Sequence, residues 1–210
     1  MENYQLMLDR TLAELEARGR NPRLLLHACC APCSSYVLEY LSRYFEITLY
    51  FYNPNISSHE EYEKRRDELI RLVREMRIDG DVHIQEGVYE PEKFELLARG
   101  REDLPERSER CRDCYRLRLT AAAEEARRGG YDYFTTTLSI SPHKNADWLC
   151  EIGGELAETV GVPYLYSDFK KKGGYLRSCE LSAKYSLYRQ PFCGCEYSRR
   201  AYLAREAAKK

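Results

Sequence analysis

Seven of the nine cysteines in this 210-residue chain fall into three tight groups: Cys29-Cys30-Ala31-Pro32-Cys33, Cys111-Arg112-Asp113-Cys114 and Cys193-Gly194-Cys195. Adjacent cysteines and two-residue gaps draw thiolates toward one centre, a local pairing that long-range disulfides do not need. Cys111 and Cys114, at i and i+3, can both point at one metal. Cys29 and Cys30 would face opposite sides of a continuous strand, but where a strand ends the backbone can turn and aim both inward. Together the four make a thiolate set that suits zinc and a [4Fe–4S] cluster equally. Cys33 falls near a predicted helix N-terminus, where the dipole lowers a thiol's pKa, and reads as a fifth ligand or a reactive thiol. Gly194 lets the chain bend enough for Cys193 and Cys195 to serve one site or each other, as an easily reduced disulfide. Cys150 and Cys179 stand alone and read as small apolar core residues. More than four converging thiols exceed what one structural zinc requires, so the surplus points to redox chemistry. A cluster beside a second metal or a dithiol would supply electrons together with a Lewis acid or a proton source.

The elements that must position these thiols alternate. Tyr4, Met7, Leu12 and Leu15 recur at helical spacing before Gly19, and the apolar run Leu24-Leu25-Leu26 then leads as a strand into Cys29. After Pro32, Ser34 and Ser35 are candidate N-caps for a helix carrying Val37, Leu38 and Leu41, so the first cysteine group occupies a strand-to-helix turn. Phe45 to Tyr52 reads as a second strand and Ser58 to Arg77 as a charged helix. Val82-His83-Ile84 is a third strand, and a helix opened by Cys111 and Cys114 runs to Gly129-Gly130. Tyr131 to Leu138 is a strand, Asn145 to Val160 a helix, Val162 to Tyr166 a last short strand, and the remainder is helical. The pattern predicts a single-domain α/β fold: a mostly parallel, Rossmann-like sheet of four or five strands flanked by helices, with a helical C-terminal segment. Residues 1–21 form its N-terminal helix, 22–198 its core and 199–210 a basic tail.

Net charge is −1, from 33 basic and 34 acidic residues, so no global field draws the chain onto nucleic acid, and any such contact must be local. No apolar run suggests a signal segment or a membrane span, which with the cysteine usage predicts a cytoplasmic protein with reduced thiols and no membrane partner.

Leu25-Leu26-His27-Ala28-Cys29-Cys30-Ala31-Pro32-Cys33, the pair Cys111 and Cys114, Thr135-Thr136-Thr137-Leu138-Ser139-Ile140-Ser141-Pro142 and Tyr188-Arg189-Gln190-Pro191-Phe192-Cys193-Gly194-Cys195 together resemble the cobalamin-independent, QueH-type epoxyqueuosine reductases. The resemblance spans residues 22 to 198. It implies a cytoplasmic iron–sulfur oxidoreductase that removes the epoxide oxygen of epoxyqueuosine at the wobble position of tRNA, the last step of queuosine biosynthesis. It further implies that Cys29, Cys30, Cys111 and Cys114 hold a [4Fe–4S] cluster, that Cys193 and Cys195 are a redox pair or ligands of an adjacent mononuclear iron, and that Cys33 serves that second metal. An unidentified partner would donate the electrons. Lys170, Lys171, Lys172, Arg177, Arg199 and Arg200 would neutralise tRNA phosphates. Asp168 and His143 are candidate proton donors, although a hydrogen-bonding or capping role is the simpler reading of each. Trp148 and the tyrosines could stack on an extruded base, but packing in the core is the simpler reading. Two other readings compete: a zinc-stabilised RNA-binding module, and a tRNA sulfur-transfer enzyme with an ATP-binding α/β fold. The latter needs a phosphate loop, and Ala28 to Cys33 contains no glycine.

Overall fold

The computed structural model describes residues 3–19, 21–78 and 80–209. Four strands, β1 (Arg23–His27), β2 (Glu46–Phe51), β3 (Val82–Glu86) and β4 (Tyr133–Thr136), pair in parallel in the order β3-β2-β1-β4. Leu24, Leu25 and Leu26 of β1, and Ile47 and Leu49 of β2, are all buried, the continuous apolar run expected of strands covered on both faces. Leu24 and Leu26 face a layer built from α1 (Tyr4–Arg18), α2 (Ala31–Leu41) and α3 (His59–Glu75). Leu25 and Phe134 face the opposite layer, formed by α5 (Glu109–Arg128) and α6 (Ala146–Val160). A short helix, α4 (Pro91–Ala98), precedes α5, and α7 (Gly174–Lys184) and α8 (Glu196–Ala207) close the chain. No helix among the described residues is long and apolar enough to cross a membrane.

The fold class, the helical C-terminal segment and most elements match the sequence reading, but the strand expected over Tyr131 to Leu138 covers only Tyr133–Thr136 before a 3-10 turn, α4 falls where no element is expected, and three further differences follow. Val162 to Tyr166 does not form a fifth strand. Pro163 has no N–H, so the segment keeps only a single bridge, Phe134 N donating to Pro163 O (3.1 Å) and Leu165 N to Phe134 O (2.9 Å). Ser34 and Ser35 do not cap α2. Cys30, in extended conformation, holds the cap position, and the two serines lie inside the first turns, their hydroxyls donating to the Cys30 and Pro32 carbonyls (2.9 Å each). The stretch read as a basic tail is largely α8, whose cap is Cys195.

Strand order reverses between β1 and β4, which both end toward α2 and the short 3-10 turn Thr137–Ile140. Ligands of open α/β sheets bind beyond the carboxyl ends of the strands at such a reversal. Cys29 and Cys30 lie there.

Candidate metal centre

The turn carrying the first cysteines is fixed from several sides. Ala28 N donates to Tyr50 O (2.9 Å), Asn53 Nδ2 to Ala28 O (2.9 Å) and Cys29 N to Thr137 Oγ1 (3.4 Å). Beneath it His27 is completely buried, its Nε2 3.0 Å from the Tyr52 carbonyl and its Nδ1 2.8 Å from Thr136 Oγ1. A carbonyl only accepts, so Nε2 carries the proton and Nδ1 accepts from threonine. Burial, reinforced by the Arg118 charge, lowers the His27 pKa to about 4, and the ring is neutral at physiological pH.

The sulfurs of Cys29, Cys30 and Cys33 all lie within 4.8 Å of one another, close enough to share one metal. Cys29 Sγ is 3.8 Å from Cys30 Sγ and 3.6 Å from Thr137 Oγ1. Three thiols so close cannot all ionise independently. Hydrogen bonds from Cys29 and Cys33, with the Arg65 charge behind them, hold Cys30 well below the usual thiol range. Proximity to Cys30 raises Cys29, and proximity to Cys29 and Cys30 raises Cys33 well above that range. The helix position of Cys33 therefore does not lower its pKa as expected, because hydrogen bonds to Cys29 and Cys30 favour its protonated form, with burial and the charge of its neighbours adding to the effect.

Cys111 and Cys114 project from the first turns of α5, as their spacing predicts, and together with Cys193 and Cys195 they line a chamber of about 210 Å³. Cys114 is buried and its thiol is pushed up to about 12, first by burial and then by Cys193, Cys195 and Cys111. Burial and Cys193 likewise raise Cys195, which caps α8 through Ser198 N to Sγ (3.4 Å). The Cys193–Cys195 loop is strapped down by Arg65 Nη1 donating to Cys193 O (2.8 Å) and Ser57 N to Gly194 O (3.2 Å). Gly194 adopts φ +126°, and a Cβ there would lie 3.0 Å from Arg65 Nη1. Cys193 and Cys195 are free thiols.

Cys29, Cys30, Cys33 and Cys193 line a larger chamber of about 470 Å³. The two chambers share the wall made by Cys193, Arg118, Lys144 and Glu106. Of the four thiols grouped by spacing, Cys29 and Cys30 line the larger chamber with Cys33, and Cys111 and Cys114 line the adjoining one with Cys195, while Cys193 borders both. Lys144 Nζ donates to Cys193 Sγ (3.0 Å) and to Glu106 Oε1 (3.3 Å). Burial alone would lower this ammonium, and Cys193, Tyr115 and Glu106 more than offset that and hold it raised. Arg65, 2% exposed, pairs with Glu61 Oε1 (2.7 Å).

Arg65, Arg118, Lys144 and His27 escaped the residue-by-residue reading. In sequence Arg65 and Arg118 look like members of charged helix faces, and only their helical offsets from Tyr62, Leu69, Cys114 and Ala122 hint that they turn inward. His143 lies on the rim of the larger chamber, exposed, with its carbonyl accepting from Arg107 Nε (3.3 Å). Asp168 does not reach the cysteines: it pairs with Lys170 (2.6 Å) in a separate surface cleft that also holds Lys171 and Lys172. Trp148 and Cys150 pack in the α5–α6 core, Cys150 donating to Ser167 O (3.7 Å). Cys179 is half-buried on α7 and lines neither chamber.

A family model described as "Epoxyqueuosine reductase QueH" matches residues 24–201 of the chain. Among curated proteins it is similar to the Epoxyqueuosine reductase QueH of Staphylococcus epidermidis, 40% identical over 200 residues that cover 93% of this chain and 84% of the relative. That of Streptococcus pyogenes is 39% identical, covering 93% of this chain and 78% of its own. That of Thermotoga maritima is 35% identical over 83% of this chain and 89% of its own.

Proposed function

Since the chain belongs to the epoxyqueuosine reductase QueH family, we propose that it reduces epoxyqueuosine at the wobble position of tRNA to queuosine, in the cytoplasm, at a metal centre held by its seven grouped cysteines. Two electrons and two protons enter, both epoxide C–O bonds break, an alkene forms and the oxygen leaves as water.

The observation that carries this reading is the convergence of seven thiols on two adjoining chambers walled by buried cations. Arg118 forms no ion pair with a carboxylate among the described residues, so thiolates formed on metal binding would supply the negative charge it lacks. All-sulfur donors in this number fit a [4Fe–4S] cluster with an adjacent mononuclear iron. Cys29, Cys30, Cys111 and Cys114 are the proposed cluster ligands, with Cys33 serving the adjacent iron from the first chamber and Cys193 and Cys195 completing the set from the wall between the two. When bound, these groups supply the electrons and a Lewis acid for the departing oxygen.

The chain's own residues do the rest. Lys144 Nζ holds a proton 3.0 Å from Cys193 Sγ on the wall shared by both chambers, within reach of an oxygen leaving from either side. The larger chamber, in the size range of small-ligand sites, has Tyr175, Phe192 and Tyr202 on its sides, faces suited to stacking an extruded base. Arg189, Arg205 and Lys209 line it as well and suit the flanking phosphates. Of the basic residues read from sequence, Arg177 is engaged by Glu39 and Glu180, Lys172 by Asp9, Lys170 by Asp168 and Arg200 by Glu196, which leaves Lys171 and Arg199 the more available.

Incubating anaerobically purified protein with epoxyqueuosine-tRNA and a reductant, followed by mass spectrometry of the digested nucleosides, tests the proposal. Queuosine formed in proportion to protein supports it. Stoichiometric zinc without sulfide, and no turnover, refutes it in favour of a zinc-stabilised RNA-binding module.

A further inference from the structure

Arg118 is 1% exposed and sits one helical turn beyond Cys114, its Nε donating to the Cys114 carbonyl (3.3 Å). Its Nη2 is buried and finds no hydrogen-bond acceptor among the described residues. The neighbouring buried cations differ: Arg65 has Glu61, and Lys144 has Glu106 and Cys193. What faces Arg118 is sulfur, beside the Tyr115 ring 5.9 Å from its Cζ. Burial would lower the guanidinium, and Cys114, Cys193 and Cys29, one from each cysteine group, hold it raised. The side chain lines both chambers.

A guanidinium keeps its charge throughout the pH range in which proteins fold, and a buried charge without a counter-ion is strongly destabilising. Among the described residues Arg118 has no carboxylate partner, so the balancing anion must come from the chambers, where the groups acting most strongly on its charge are the thiols of Cys114, Cys193 and Cys29, ahead of the Tyr115 phenol. We propose that Arg118 is the built-in counter-charge of the metal–thiolate centre, a positioning residue that raises its midpoint potential by stabilising the reduced form, which carries one more negative charge. The inference rests on the cluster reading above. Hydrogen bonds to the sulfurs and local charge are among the protein's levers on such potentials. An Nη2–H free of protein partners offers both.

The test begins with the iron and sulfide content of the anaerobic wild-type protein. Zinc without sulfide would remove the cluster reading, and this inference with it, before any variant is made. With the cluster present, dithionite titrations followed by electron paramagnetic resonance compare wild type, Arg118→Gln and Arg118→Lys. Arg118→Gln with full iron and sulfide is expected to show a reduced-to-oxidised ratio at least tenfold lower at a given potential, about 59 mV for a one-electron couple. Arg118→Lys, which keeps the charge, is expected to stay within threefold of wild type. An unchanged potential in Arg118→Gln accompanied by a raised KM for tRNA would overturn the inference and make Arg118 a substrate contact. Should Arg118→Gln fail to load, Arg118→Lys decides: loading with a wild-type potential supports the counter-charge, and failure to load refutes it.

Discussion

His27 ties acid stability to the turn that carries the first cysteines. Its ring is completely buried and neutral, with both nitrogens committed, and its pKa is lowered to about 4 from 6.5. Between these two values the unfolded chain binds a proton that the folded chain refuses, so stability falls as pH falls. The stabilisation is fully present above pH 6.5, starts to drop below it and is gone once pH has passed below about 4. At about 1.36 kcal/mol per pH unit the interval corresponds to roughly 3 kcal/mol, a large part of a domain's usual margin. In His27→Gln the amide N–H can still donate to Tyr52 O and the amide oxygen can still accept from Thr136, but nothing titrates. Urea unfolding of reduced, chelator-treated protein at pH 7, 6, 5 and 4 should therefore show wild type losing about 3 kcal/mol more than His27→Gln over that range. His59, His83 and His143 are exposed and common to both proteins, so the difference isolates His27. Parallel stability curves, or a His27 ring signal titrating near 6.5 by nuclear magnetic resonance, would refute the reasoning.

Lys144→Met should lower turnover on epoxyqueuosine-tRNA by about a hundredfold or more while iron and sulfide content stays at the wild-type level, because the proton beside Cys193 is lost and the thiol ligands remain. Gly194→Ala forces a left-handed φ of +126° on a residue with a Cβ and crowds Arg65 and Ile56, so urea unfolding should show a loss of about 1–3 kcal/mol and metal analysis a reduced iron content. Cys33→Ala should lose iron and turnover. Cys150→Ala, at a thiol packed between α5 and α6, should keep the full metal complement at a cost of roughly 1 kcal/mol in stability, and equal iron in the two variants would refute the division of the cysteines into ligands and core.

The strand-to-helix turn at Cys29, the helix opened by Cys111 and Cys114, and the parallel sheet could be read from sequence because each rests on a local signal: apolar runs of strand length, cysteines one turn apart, and Gly129-Gly130 as a stop. The places at which Cys33, Cys193 and Cys195 join these thiols could not. Cys33 meets Cys29 and Cys30 only because the chain enters α2 at Ala31 with Cys30 extended as its cap, a choice decided by ψ at one residue. Whether Cys111 and Cys114 face Cys29 or Cys193 depends on where α5 crosses the sheet and on Arg65, on α3, reaching the Cys193 carbonyl across 128 residues of chain. The failure of Val162–Tyr166 to become a strand follows from Pro163, which was visible but not sufficient to decide between an edge strand and a single bridge.

The buried cations resolve what cysteine counting leaves open. Nine cysteines scattered through a core would be satisfied as neutral thiols, and Cys150 behaves in that way, raised to about 12 by its burial. A core of neutral thiols gives no reason to bury a guanidinium beside them. Arg118, Lys144 and Arg65 each bring a charge into the space between the three cysteine groups at the expense of its hydration; Arg65 pairs with Glu61 and Lys144 with Glu106, whereas Arg118 has no carboxylate partner among the described residues. A sequence keeps such an arrangement at a stability cost of several kcal/mol unless the missing negative charge arrives with a ligand. Metal–thiolate formation supplies that charge at the sulfurs that face the cations. The same cations oppose a permanent Cys193–Cys195 disulfide, which is neutral and would leave Lys144 with Glu106 alone. The electrostatics thus favour seven ligating or reactive thiols over a stapled scaffold, and the metal should stabilise the fold, so that removing it by chelation lowers the melting temperature of this chain but not by the same amount in Arg118→Gln, where less uncompensated charge is left behind.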